Sequence, residues 1–557
     1  MKSIIAFFNA FIVAFLSFFT PSVPVAKTED ELQSISPLFE KYELSDEIYV
    51  IDINKLDSEE KVHMLICLQG IVAKAKPSIY LKRSSTDVYN LEKLKPHVNE
   101  ISYTDDNGNE WTLELLLEKF KGYIGDSGYV LYRKSDNAEG LNMATNMSSL
   151  YGWLAVPDSL ESIAIDAGLT LKEDFTDDAY NNFFQWKFFL KHKDEFNYNA
   201  LVHEKYIMYG LRDLAIQQKL FTFFDDDAIT DFLRVTVMSY AGDNVPLIGW
   251  ANYEVAYVTS ASKAGNFVIP ADHCYNNSIL ANVPFAEVEQ MHNETKEYTD
   301  PTKHYCAIVF SDGDNVQWIQ NGFSEYYRKL SYGNDFPMTW TVPPLLNDFS
   351  PLTAQRVYGA STENDYLIAG VSGVGYAHPS EYPRDALADF TDITASAMLK
   401  NDLEYVSILD STPDSLYDEF RLTNSLEYFA RYDSIKGGML YLDPDRYFGG
   451  KGKIYFVNDK PFITTRYSLW HPSNDSANVN KEWLDEQIEI VNNYQSDINS
   501  INGYSVINIH PWSISIDNLE YFVENLDDDI VLVTLDELLN MVSKNIPHVT
   551  TEVSENV

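Results

Sequence analysis

From residue 301 onward the chain alternates short apolar runs with longer amphipathic stretches, and this rhythm narrows the possible folds more than any other feature. Strand-like runs fall at 305–310, 337–342, 365–370, 405–409, 437–442, 461–467, 503–509 and 529–534. Helical stretches separate most of them, at 353–358, 384–400, 414–433 and 480–495. Units of this length build parallel sheets, because a crossover helix is what returns the chain to start the next strand in the same direction. Seven or eight such units imply closure. The expected fold class is α/β, with a C-terminal (β/α)7–8 TIM-like barrel over 301–548. The uneven spacing leaves a seven-stranded or distorted form open.

One or two smaller α/β domains precede it. Glu47–Asp52 reads as a strand, Ser58-Glu-Glu-Lys as a helix start running to about Ala75, and Pro77–Leu81 as the next strand, together a β-α-β unit. An amphipathic helix over Thr112–Phe120 and a strand at Gly128–Tyr132 follow. The boundaries expected are 27–128 for a first domain and 129–300 for a second, with a disordered tail at 549–557. The dense aromatics around Phe183, Trp186 and Phe189 read as core packing at helical spacing.

Residues 1–26 read as a secretory signal: Lys2, an apolar run from Ile4 to Phe19, and small residues near Ser22 and Ala26. A retained membrane anchor is the alternative, since the run is just long enough to span. Secretion without stable membrane association after cleavage is expected. With 83 acidic against 41 basic residues the net charge is −42, so no basic stripe is left to neutralise phosphates, and nucleic acid is excluded as a partner. Cys67, Cys274 and Cys306 read as three buried thiols or as one Cys274–Cys306 bridge. Asn146, Asn276, Asn293 and Asn474 begin glycosylation sequons.

In a parallel barrel the working residues follow the strands. Here the first run ends in Ser311-Asp312-Gly313-Asp314-Asn315. The third enters AGVSGVGYAHPSEYP, residues 369–383, with Tyr376, His378 and Glu381. The fourth ends at Asp410 and the fifth at Asp443; Arg466 lies in the sixth, before Trp470-His471-Pro472, and the seventh ends at His510-Pro511-Trp512. This inventory suits carbohydrate. Sugar C–H faces stack on Trp and Tyr, and hydroxyls pair with Asp, Asn, Arg and His. Glycosidic cleavage needs an acid for the leaving oxygen and a carboxylate as nucleophile or base. Asp312 and Asp314 are the leading catalytic candidates, with Asp410 and Asp443 as partners. Asn315, Tyr376, His378, Glu381, Arg466, Trp470, His510 and Trp512 are the candidate substrate-binding residues. No cofactor is called for, and a divalent metal stays open.

Other chemistries fail on spacing. A calcium loop starting at Asp312 would place Gln317 where glycine belongs and Phe323 at the closing carboxylate. Gly370-Val-Ser372-Gly373-Val374 lacks the last glycine of a serine nucleophile elbow. There is no H-E-x-x-H, no phosphate-binding G-x-x-x-x-G-K, and no third glycine after Gly373 and Gly375 for a dinucleotide loop.

Gly373-Val-Gly375-Tyr376-Ala-His378-Pro379 resembles the name-giving motif of the GxGYxYP glycoside hydrolase family. Ser311–Asn315 is similar to its other strong motif, and Leu68-Gln69-Gly70 through Pro77-Ser-Ile-Tyr80 to its N-terminal domain. The resemblance implies N-terminal α/β domains, a barrel-like C-terminal domain and a carbohydrate substrate. One position departs: the second tyrosine of the motif is His378. Either that ring only stacks, or Tyr382-Pro383 takes its place. Two alternatives to hydrolysis remain. One is a secreted glycan-binding protein without catalysis. The other is a metal-dependent polysaccharide deacetylase, whose opening motif Val309–Gly313 faintly resembles, with His510 after a late strand but Tyr382 where an H-x-x-x-H pair would end.

Overall fold

The computed structural model describes residues 22–554 apart from 178–180, 207–209, 227–230, 292–295, 297, 322–335 and 444–445. Most of the segment read as a signal, and Asn293, lie outside the described residues. No helix among those described is long and apolar enough to cross a membrane.

Three small parallel sheets come first. β1 (Glu47–Asp52), β2 (Ile79–Lys82) and β3 (Glu100–Ser102) form a sheet in the order β2-β1-β3. The helix Glu59–Ala73 between β1 and β2 starts where the Ser58 hydroxyl accepts the Lys61 N–H. The stretch 129–300 carries two further sheets. β4 (Gly128–Tyr132), β5 (Leu154–Pro157) and β6 (Thr170–Phe175) run β5-β4-β6. β7 (Asn197–His203), β8 (Leu220–Phe223), β9 (Pro246–Gly249) and β10 (Phe267–Ile269) run β10-β9-β7-β8, again parallel. In that order the chain reverses direction across the sheet beside β7 and β9, so a crevice opens at their C-terminal ends.

The C-terminal part is one 10-stranded curled sheet. Its strands are β11 (His304–Phe310), β12 (Met338–Val342), β13 (Asp365–Ala369), β14 (Tyr405–Ser411), β15 (Gly437–Asp443), β16 (Ile454–Val457), β17 (Lys460–Thr464), β18 (Tyr467–Leu469), β19 (Tyr504–Ile509) and β20 (Ile530–Val533). All eight expected runs are strands. Side chains alternate between two buried faces: Tyr305, Ala307 and Val309 join one core cluster, and Cys306, Ile308 and Phe310 the other.

A regular TIM barrel is not what these strands make. β16 runs antiparallel to β17, joined by Asn458 and Asp459 at φ 51° and 62°. Two successive left-handed residues form the tight turn that matches strand twist, so a hairpin interrupts the β-α alternation. β12 and β20 also share one edge of β11, pairing with its C-terminal and N-terminal halves. β17 lies beside β15, and its continuation β18 beside β19. At the bend between them the Thr465 N–H donates to Leu440 O and the Arg466 N–H to Val506 O.

Both ends of the described chain are tied to this sheet region. The N-terminal strap packs on the helix Arg384–Lys400: Lys27 pairs with Asp392, the Ser396 hydroxyl donates to Leu32 O at 2.7 Å, and Lys400 Nζ to Ile35 O at 2.6 Å. Beyond 548, in the expected tail, Thr551 pairs with Ile454 and Asn502 Nδ2 donates to Ser554 Oγ at 2.6 Å. All three cysteines are buried thiols. Asn146 and Asn276, read as sequons, are buried amides that donate to Thr222 O and Leu81 O, which leaves no room for a glycan on either in this fold.

Gly313 shows how tightly the sheet's rim is built. A Cβ there would lie 1.7 Å from Thr341 O, while the Gly313 N–H donates to Thr341 Oγ1 at 2.9 Å. Gly313→Ala must push the loop off β12. We expect it to lower stability by about 1–3 kcal/mol in chemical denaturation; an unchanged midpoint would show that the loop yields freely.

Candidate active site

The loop after β11 begins where Asp312 takes φ 64°, a left-handed backbone that Asp and Asn tolerate and most side chains do not. This turn, with Gly313 against β12, carries Asp312 and Asp314 back over the C-terminal end of the curled sheet. Ser311 Oγ donates to Asp312 Oδ2 at 2.7 Å, and the indole N–H of Trp512, from the loop after β19, donates to Asp312 Oδ1 at 3.3 Å. Trp512 is itself stacked on Trp318, with ring centroids 4.5 Å apart.

The loop after β13 forms the neighbouring wall. Gly373 has φ 96°, and a Cβ on Gly375 would lie 2.3 Å from the Phe267 ring and 2.9 Å from Val268 O. These glycines let the loop reach the edge of the third sheet, where Tyr376 and Val268 exchange backbone hydrogen bonds of 2.8 and 2.9 Å. The Tyr376 hydroxyl then donates to Glu254 Oε1 at 2.8 Å, and its ring stacks on Trp250. Trp250 and Glu254 follow β9, so the crevice end of the third sheet faces the rim of the curled sheet.

Between them lies a cleft of about 240 Å³. Its walls are Trp250 and Glu254 on one side, Asp312, Asp314 and Trp512 on the other, Tyr376 and Tyr447 beside them, and Leu409 and Tyr441 beneath. Burial dominates its electrostatics. It pushes Asp312 up to about 6, against the donors Ser311 and Trp512 and with help from Glu254. Burial and the neighbouring Asp312 push Asp314 well above the usual carboxylate range. Glu254 is raised by burial and held back by the Tyr376 hydroxyl. Asp443, at the end of β15, is raised to about 6 by burial and by Glu254 and Asp410. Closely grouped carboxyls in a poorly solvated cleft share protons near neutrality, the condition for one to act as acid while another stays ionised.

The structure brings Asp312, Asp314, Asn315, Tyr376 and Trp512 together in this cleft, with Asp443 in electrostatic reach. The other candidates do not line it. Asp410 is fully buried and accepts from the Ser380 N–H, the Ser380 hydroxyl and the Ser411 N–H, anchoring the loop 379–381. His378 is buried beside it, with Nδ1 3.3 Å from Thr259 Oγ1, so the departing motif position packs between domains and offers no ring to the cleft. Tyr382 is buried against Phe390 and does not replace it. Glu381 is engaged by Arg421 at 3.1 Å. Arg466 donates to Asn502 O and Tyr504 O and covers the Tyr494 ring. His510 lies under Trp470, centroids 3.6 Å apart, and meets the Ser513 hydroxyl; burial and Arg446 press it down to about 3.

Trp250, Glu254, Tyr441 and Tyr447 were not picked out from the sequence. Trp250 and Glu254 carried the same signal as the rest, polar and aromatic residues just past a strand, but on the third sheet. Among the described residues no group of three or more His, Cys, Asp or Glu side chains is arranged to hold a metal ion.

Family models describe the same organisation. The model named "GxGYxYP putative glycoside hydrolase C-terminal domain" matches 302–543. Those for the first, second and third N-terminal domains match 47–121, 127–188 and 199–282. Among solved structures, the chain is similar to one titled as a putative hydrolase from Bacteroides thetaiotaomicron VPI-5482. The identity is 22%, the TM-score 0.77, and the match covers 95% of this chain and 99% of that one. No curated protein matches.

The raised carboxyls bind protons more tightly folded than unfolded. The stability they contribute is therefore present below the unfolded range near ~4 and is lost as pH rises through about 6. Asp312→Asn keeps the shape and the tolerated φ but cannot ionise. We expect it to melt at or above the wild-type temperature at about pH 8, with the gap closing toward about pH 5. A large loss at both pH values would make Asp312 a structural cap.

Proposed function

The chain belongs to the GxGYxYP family, and from that premise we propose that it is a glycoside hydrolase working in the cleft between the curled sheet and the third N-terminal domain. One observation carries the reading: Asp312, Asp314 and Glu254 converge on a small cleft walled by Trp250, Tyr376, Tyr447 and Trp512. Carboxyls supply both halves of glycosidic cleavage, and flat rings give a sugar its stacking surface. Asp312 is the carboxylate suited to act in the charged form, because the Ser311 hydroxyl and the Trp512 N–H both donate to it. A neighbouring carboxyl, kept neutral, would protonate the leaving oxygen.

We read the curled sheet as a distorted barrel. The strand path from β15 through β17 and β18 to β19 supports this, as do the hydrogen bonds of Thr465 and Arg466 at its bend. The reading of residues 1–26 as a signal supports a location outside the cytosol, with a soluble or surface glycan as the partner. The acidic surface suits a neutral substrate better than a polyanionic one.

The test pairs a glycan array with a reducing-end assay on the glycans retained. Wild type should bind and release reducing ends, while Asp312→Asn should bind and release them at least about 1000-fold more slowly. Binding with no release by wild type would leave a glycan-binding protein. Acetate release abolished by a chelator would favour the deacetylase.

A further inference from the structure

We propose that Glu254 is the catalytic acid, delivered to the C-terminal domain's carboxylates by the third N-terminal domain and oriented there by Tyr376. The assignment rests on the hydrolase reading and adds to it the partner that Asp312 lacks on its own wall. Acid and nucleophile (or base) must flank the scissile bond, ~5 to 9.5 Å apart depending on mechanism. Asp314 lies two residues from Asp312 on the same turn, so the two share a wall. Glu254 lines the cleft from the facing domain.

Its local chemistry fits the role. Tyr376 engages Oε1 at 2.8 Å, and among the described residues Oε2 takes no hydrogen bond, which leaves a site for a proton. Burial keeps the carboxyl protonated longer than usual; Asp312 and Asp314 share the cleft with it, and its charge in turn helps to raise Asp312, Asp314 and Asp443. Asp231, Arg234 and Lys263, with Glu254 itself, also border a second groove along the helix Glu254–Lys263. Glu254 is also the first residue of that helix, where free N–H groups favour an anion. Helix and Tyr376 both stabilise the carboxylate formed once the proton leaves, so the same group can take a proton back from water.

The step balances simply. The proton moves from Glu254 to the glycosidic oxygen as the C1–O bond breaks, and that oxygen keeps the bonding pair. An oxygen of Asp312, or of a water that Asp312 deprotonates, supplies a new pair to C1.

Leaving-group dependence tests the assignment. A panel of nitrophenyl glycosides identifies a sugar that wild type cleaves; the phenyl and 2,4-dinitrophenyl glycosides of that sugar are then compared. The phenyl ether needs an acid to depart, and the dinitrophenyl ether does not. Glu254→Gln should lose at least about 100-fold in kcat/KM on the phenyl glycoside and only a few-fold on the dinitrophenyl one, with the alkaline limb of the pH profile gone. Tyr376→Phe should move that limb to higher pH, because the carboxylate loses a donor. Equal losses on both substrates, or none on either, would overturn the role of Glu254 alone. Glu254→Asp and a thermal melt separate a lost acid from a lost fold: loss of folding together with equal losses also counts against it. A wild type that cleaves no glycoside would overturn the hydrolase reading, and the acid with it.

Discussion

Two backbone hydrogen bonds between Val268 and Tyr376 set the geometry on which the rest of the site depends. They add the loop after β13 to the open edge of the third sheet, and so fix one domain against the other at backbone precision. The glycines at 373 and 375 make the approach possible, since a Cβ on Gly375 would meet Phe267 and Val268 O. Once the bridge is made, Tyr376 reaches Glu254, Trp250 stacks behind it, and the cleft has two facing walls. The motif that names the family is thus a joint as well as a lining.

Most strands of the C-terminal part were legible to within a residue or two, because parallel strands buried on both faces are unbroken apolar runs. However, β16 was not read as a strand, and the run 461–467 spans β17 and the start of β18. What escaped was the break in the β-α alternation. The hairpin of β16 and β17 turns on Asn458 and Asp459, whose left-handed backbones no hydrophobic pattern announces. The boundary within 129–300 also escaped, because two adjacent parallel sheets of the same kind share one rhythm.

The site was half legible for a related reason. A sequence shows which residues follow a strand, but not whether a side chain turns toward the cleft or toward the surrounding helices. Asp312, Asp314, Tyr376 and Trp512 turn inward. Asp410, Arg466 and His510 serve the scaffold, holding a loop, two carbonyls and a ring stack. His378 looked like a break in the motif, yet it sits in a buried polar contact between domains. Glu254 could not be found from the rhythm of the C-terminal strands, because its place at the cleft is a tertiary fact.

The N-terminal strap has a consequence in time. Lys27 and Ile35 are held by residues 365 positions later in the chain. At ~5–20 residues per second of synthesis, the strap waits on the order of 20–70 s for its seat to be made. During that interval Leu32 lacks the helix Arg384–Lys400, whose Ser396 hydroxyl bonds its carbonyl in the finished fold. The helix Arg384–Lys400, once made, offers the strap a finished surface. The first described segment of the chain is therefore among the last that can dock, and the newborn protein carries an unmet adhesive end until its final domain is in place.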